Sequence, residues 1–136
     1  MANRGEIYNR DKASTIRDFS GLKYGKITPT DIDAFLDFKN RLFILIEGKE
    51  DGVPVPKGQM IALKRIANAC NSKTRSCILV IVNNKYNENG DVNYSESLVR
   101  SYYHESKWSE IEDSGTTLSA FIDYWLTQFG LDWVKS

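Results

Sequence analysis

The chain has 136 residues, of which 41% are hydrophobic and 26% charged, the profile of a globular domain rather than a disordered, charge-dominated tail. Eighteen basic residues balance 18 acidic ones, so overall charge does not draw the protein to a polyanion, and any nucleic-acid contact must come from a local patch. The length suits one domain over residues 1–136.

Residues 3–19 carry Tyr8, Lys12, Ile16 and Phe19 near helical spacing and predict a weakly amphipathic first helix, ended by Gly21 and Gly25. Thr28-Pro29-Thr30 reads as a turn. The run DIDAFLDF, residues 31–38, alternates: Ile32, Ala34, Leu36 and Phe38 share one face, and Asp31, Asp33, Phe35 and Asp37 the other. LFILIEGK, residues 42–49, follows as an apolar strand ending in charge. The two predict a hairpin around Lys39-Asn40-Arg41, with the left-handed conformation expected on the loop's last residue.

Past the Gly- and Pro-rich loop at 50–58, Met60, Leu63, Ala67 and Cys70 predict a helix over about 59–70. CILVIV, residues 77–82, is a continuous apolar run that suits a central strand buried on both faces. Asn89-Gly90 signals a turn, and residues 92–104 read as one or two extended segments. Ser114-Gly115-Thr116-Thr117 caps a last helix, in which Leu118, Phe121, Ile122, Trp125, Leu126 and Phe129 form one apolar stripe. The expected class is therefore an α/β or α+β sandwich around a mixed sheet.

Few residues offer metal or nucleophile chemistry. Cys70 and Cys77 form no CxxC pair and His104 is the sole histidine, which argues against structural zinc and a Cys/His protease. Two lone thiols suit a reducing cytoplasm, the expected compartment, with each cysteine acting as a small apolar residue. No apolar run has the length of a membrane span, so no membrane partner is expected. His104 reads as a surface residue, and Tyr102, Tyr103, Trp108, Trp125 and Trp133 as packing residues.

The unusual feature is the end of LFILIEGK. Glu47 and Lys49 fall on one strand face, with Cα atoms roughly 6.7 Å apart. Asp33 stands opposite Glu47 only if paired residue numbers sum to 80, which centres the hairpin on Asn40. Their Cβ atoms would then lie about 5 Å apart, and two like charges so placed need compensation. A hard divalent cation supplies it, and Lys49 adds a positive charge beside it.

Asp33, Glu47-Gly48-Lys49 fourteen residues on, and Gln59 in the following helix resemble the PD-(D/E)XK nuclease superfamily, which includes restriction endonucleases and Holliday junction resolvases. KITPTDID, EGK and PKGQ are also similar to small uncharacterised bacterial and phage proteins assigned there. The resemblance covers residues 3–83 or so, leaving 84–136 as extended segments and a helix outside the family core. It implies a restriction-endonuclease-like core and Mg²⁺- or Mn²⁺-dependent hydrolysis of DNA, duplex or branched, by a chain able to act as a homodimer. It implies Asp33 and Glu47 as metal ligands, with Asp31 the rival of Asp33. It further implies Lys49 as the catalytic lysine, Gln59 as a helix residue facing the site, the Gly48 carbonyl as a further ligand, and Glu6 as the additional acid.

Charge is uneven in the same sense. Residues 1–26 hold six basic and three acidic residues, and residues 105–136 hold two and six. The positive first segment leads into the candidate site and offers phosphate contacts. The competing reading is a nuclease-like scaffold that has lost its chemistry and binds a protein or nucleic acid. RNA or a nucleotide is the other substrate class compatible with these residues.

Overall fold

Alternating apolar residues and one continuous apolar run build a five-stranded mixed sheet in strand order β1-β2-β3-β4-β5. The structure, a computed structural model, describes residues 18–111 and 115–135. The chain divides into two compact units, Met1–Thr30 and Asp31–Ser136. In the described part of the first, a tight turn with Gly25 at φ 65° pairs Tyr24 with Ile27. The helix expected over residues 3–19 lies almost wholly outside the described residues, as does the Ser114 cap.

The second unit holds the sheet. Strand β1 (Ala34–Phe38) pairs antiparallel with β2 (Leu42–Lys49), from Ala34 opposite Ile46 to Phe38 opposite Leu42, so each pair sums to 80. This is the register expected from the sequence. Two details differ. The left-handed conformation falls on Lys39 (φ 58°) and Asn40 (φ 60°), not on the loop's last residue. The Arg41 amide closes the turn onto the Phe38 carbonyl, and Asp37 accepts from the Asn40 amide at 2.7 Å. The strand also begins at Ala34 rather than at Asp31, because the Gly48 amide is taken by the Asp33 carboxylate instead of by a strand carbonyl.

Helix α1 (Lys57–Cys70) starts two residues before the expected boundary, directly after Pro56, whose fixed φ suits a helix entrance. It carries the chain across to β3 (Ser76–Asn83), which lies parallel to β2. Every residue of β3 from Cys77 to Val82 is buried, as the continuous apolar run predicts. Residues 92–104 divide into a 3₁₀ turn (Tyr94–Glu96) and strand β4 (Leu98–His104). Strand β5 (Lys107–Glu110), not anticipated from the sequence, folds back through a turn with Glu105 and Ser106 at positive φ. Helix α2 (Leu118–Gln128) follows, its first turn capped by Thr117, which accepts from the Ala120 amide at 3.1 Å.

The alternation of β2 and β3 decides which helix covers which face. Leu45, Leu79 and Ile81 pack with Leu63 and Ala67 of α1. Ile44, Ile46, Ile78, Val80 and Val82 pack with Leu118, Phe121 and Leu126 of α2. The unit is thus α+β, a mixed sheet between two helices among the described residues. Burial of each such aliphatic side chain contributes about 1.5–3 kcal/mol.

The β3–β4 ladder slips by one residue between Ile81 and Val82, so Arg100 has no cross-strand mate. This bulge sends the Arg100 guanidinium to three acceptors: the Asn83 side chain at 2.6 Å and the Val53 and Glu50 carbonyls at 2.7 and 3.1 Å. The loop after β2 is thereby tied to the middle of the sheet. His104, expected at the surface, has a side chain only 15% exposed and lies 5.1 Å from the Trp125 ring. Trp133, expected to pack, is 56% exposed. No helix among the described residues is long and apolar enough to cross a membrane.

Candidate functional site

The hairpin register brings two carboxylates to one end of the sheet. Glu47 is the last buried residue of β2, at 2% exposure, whereas Asp33 is exposed just before β1. The Gly48 amide donates to Asp33 Oδ2 at 2.8 Å, which fixes the exposed acid against the strand that carries the buried one. Asp31 contributes only its backbone carbonyl, which accepts from Gln59 at 3.5 Å. Asp33 is therefore the acid beside Glu47.

Two further side chains hold one oxygen of Glu47. Gln59, in the first turn of α1, donates its amide to Glu47 Oε1 at 2.9 Å. Lys49, two residues along the same strand face, sets its ammonium 3.4 Å from that oxygen. The other oxygen, Oε2, is buried without a hydrogen-bond partner. Burial is the main cause that pushes the Glu47 carboxyl above the usual carboxylate range, and the charge of Asp33 adds to it; Lys49 and Gln59 oppose the shift.

Gly48 shapes the opposite side of the strand. A Cβ there would overlap Asn84 Oδ1 and come within 2.9 Å of the Tyr94 ring. Asn84 follows β3 directly, and its amide donates to the Lys49 carbonyl at 2.8 Å. Its Oδ1 is the second buried oxygen at this end of the sheet without a partner. Tyr94 lies on the 3₁₀ turn. Burial first, then the charges of Asp33 and Glu47, push its hydroxyl up to about 12.

Asp33, Glu47, Gly48, Lys49 and Gln59 thus come together. Glu6 lies outside the described residues. Asn84 and Tyr94, unforeseen in the sequence, pack on Gly48 from the sheet face opposite Glu47 and Lys49. No periodicity or spacing marks Tyr94.

A partnerless buried carboxylate oxygen beside a second carboxylate is the donor set of a hard cation, which takes oxygen ligands and retains waters. Asp33 and Glu47 therefore fit a divalent ion. Among the described residues no group of three or more His, Cys, Asp or Glu side chains gathers at one point. Among the described residues, Asp33 and Glu47 are the two carboxylates that would hold such an ion. Comparison with family models, curated proteins and solved structures finds no match.

Proposed function

We propose that the protein is a divalent-metal-dependent nuclease that hydrolyses DNA phosphodiester bonds, with a PD-(D/E)XK-like site. The observation that carries this reading is the meeting of Asp33, Glu47 and Lys49 at one end of the sheet, with Glu47 Oε2 buried and unpartnered. The order hairpin, α1, parallel β3 supports it as well, since that superfamily's core runs hairpin, helix, strand.

Each residue then has a physical task. Asp33 and Glu47 hold the ion, Mg²⁺ or Mn²⁺. When bound, the ion supplies Lewis-acid polarisation of the phosphate and lowers the pKa of a water. Gln59 keeps the Glu47 carboxylate oriented, and the Gly48 amide does the same for Asp33. The Lys49 ammonium stabilises negative charge that builds on the phosphate oxygens during in-line attack. One such site cuts one strand, so cleavage of both strands requires a second copy or a second encounter.

The test offers linear duplex, single-stranded and four-way-junction DNA to the purified protein with Mg²⁺ or Mn²⁺. Cleavage is expected, with loss of at least a hundredfold in Asp33→Asn and Glu47→Gln. Cleavage that persists in both variants overturns the site. RNA added to the same panel separates the two nucleic acids.

A second reading is a nuclease-like scaffold that binds without cutting. It is favoured by one observation: Lys49 already neutralises Glu47, leaving Asp33 as the only other acid grouped with it among the described residues. Calorimetric titration with Mn²⁺ decides. The nuclease binds the ion, and the scaffold does not.

A further inference from the structure

We propose that Asn83 is a substrate-contacting residue of this site, its side-chain N–H groups donating to a phosphate oxygen held beside Lys49. The inference rests on the reading of the site as one that takes phosphate, and adds a neutral donor to it. Strand register, an anchoring guanidinium and an idle pair of N–H groups carry it.

Asn83 ends β3 where Lys49 ends β2, and the two are partners in the parallel ladder. Strands so paired lie about 4.8 Å apart. Leu45 of β2 packs with Cys77, Leu79 and Ile81 of β3 on the face that α1 covers. Alternation carries that face on to Glu47 and Lys49 along β2, and to Asn83 along β3. Val80 and Val82 turn to the α2 face, and Asn84 follows them onto Gly48. Asn83 is thus the β3 side chain that stands next to Lys49, on the side of the sheet where Gln59 meets Glu47.

The orientation of its carboxamide is fixed. Arg100 donates to Asn83 Oδ1 twice, from Nε at 2.9 Å and from Nη2 at 2.6 Å. A guanidinium only donates, so the atom that faces it is the carbonyl oxygen, and the NH₂ group is turned away. Arg100 is itself held by the Val53 and Glu50 carbonyls, so the amide does not swing round to offer its oxygen elsewhere. Asn71, by contrast, has both ends of its carboxamide engaged, accepting from the Cys77 amide and donating to the Ala67 carbonyl. Asn83 Nδ2 donates to no group among the described residues, yet it is not sealed from solvent. With its oxygen committed and its N–H groups free, the side chain suits an anion and not a cation. A phosphate oxygen that the Lys49 ammonium draws in arrives beside those N–H groups.

The experiment compares wild type with two variants: Asn83→Ala, which removes the donors, and Asn83→Asp, which keeps an oxygen for Arg100 but has no N–H. Mn²⁺ is titrated calorimetrically, inorganic phosphate is titrated into protein saturated with Mg²⁺, and cleavage of linear duplex DNA is followed with Mg²⁺. Asn83→Ala is expected to bind phosphate about tenfold more weakly and to cut about ten- to a hundredfold more slowly. Its Mn²⁺ affinity is expected to match wild type, because the Asn83 oxygen belongs to Arg100. Asn83→Asp is expected to lose at least as much phosphate affinity without losing Mn²⁺ affinity, and it decides the matter where Asn83→Ala fails to fold. Wild-type phosphate binding or wild-type cleavage in either folded variant overturns the role of Asn83 and leaves the nuclease reading in place. Joint loss of Mn²⁺ and phosphate binding, or unfolding of both variants, makes Asn83 an anchor for Arg100 alone and also overturns it. Weakened phosphate binding in a protein that cuts no DNA upholds Asn83 and overturns the nuclease reading. A wild type that neither binds phosphate nor cuts DNA overturns both.

Discussion

Glu47 is the residue on which stability and function pull apart. Its folded-state proton affinity is raised above the ordinary value of 4.5, chiefly by burial. The folded chain therefore holds this proton more tightly than the unfolded chain does. The resulting stability is fully present below the unfolded value and is lost as pH rises through the raised folded value. Glu47→Gln stays neutral throughout. In a chelator-treated sample its melting temperature is expected to exceed wild type at pH 7, and the difference should vanish near pH 4. Lys49, left without its partner, is 24% exposed and reaches water. Adding Mn²⁺ is expected to reverse the order, because a ligand that binds only the folded wild type raises its stability in proportion to RT ln(1 + [L]/Kd). Gly48 is constrained from the other side of the strand. Gly48→Ala pushes a methyl into Asn84 and Tyr94, and the expected cost is about 1–3 kcal/mol by denaturant titration. That the space beside this glycine is filled by two side chains distant in sequence was not legible.

Among the elements, the hairpin was the most readable. Apolar alternation in DIDAFLDF sets which face of β1 joins the core, and a slip of one residue against the apolar run LFILI would turn that face outward. Strand β3 was readable for the related reason that an unbroken apolar run needs cover on both faces. Strand β5 was not, because KWSE is four residues long with no apolar alternation of its own. Its pairing is set by the Glu105-Ser106 turn, whose residues are poor advertisements for left-handed backbone. Replacing the pair by Asn-Gly, the dipeptide such turns favour, is expected to raise stability by about 1 kcal/mol. Urea unfolding of the double variant measures it. The 3₁₀ turn carrying Tyr94 was hidden too, since it depends on Asn93 and Ser97 closing around it rather than on any periodic pattern.

For the molecule as a whole, the candidate site draws on Asp33 before β1, Glu47 to Lys49 at the end of β2 and Gln59 on α1, while Asn84 after β3 and Tyr94 beyond it close on Gly48 from the other sheet face. Sequence reading reached the first three because one hairpin and the next helix place them. It missed the last two because their approach depends on the parallel β2–β3 pairing and on the chain's return after Asn89-Gly90. The slipped pairing at Arg100 has a dynamic consequence for this assembly. Because its guanidinium grips the carbonyls of Glu50 and Val53, the loop after β2 is expected to open together with β4. Deuterium uptake at the Val53 amide should therefore keep pace with that of β4, and Arg100→Ala should make Val53 exchange at least tenfold faster while β4 holds its protection. A single irregularity in the weave thus couples the loosening of the loop after β2 to that of a strand two places away in the sheet.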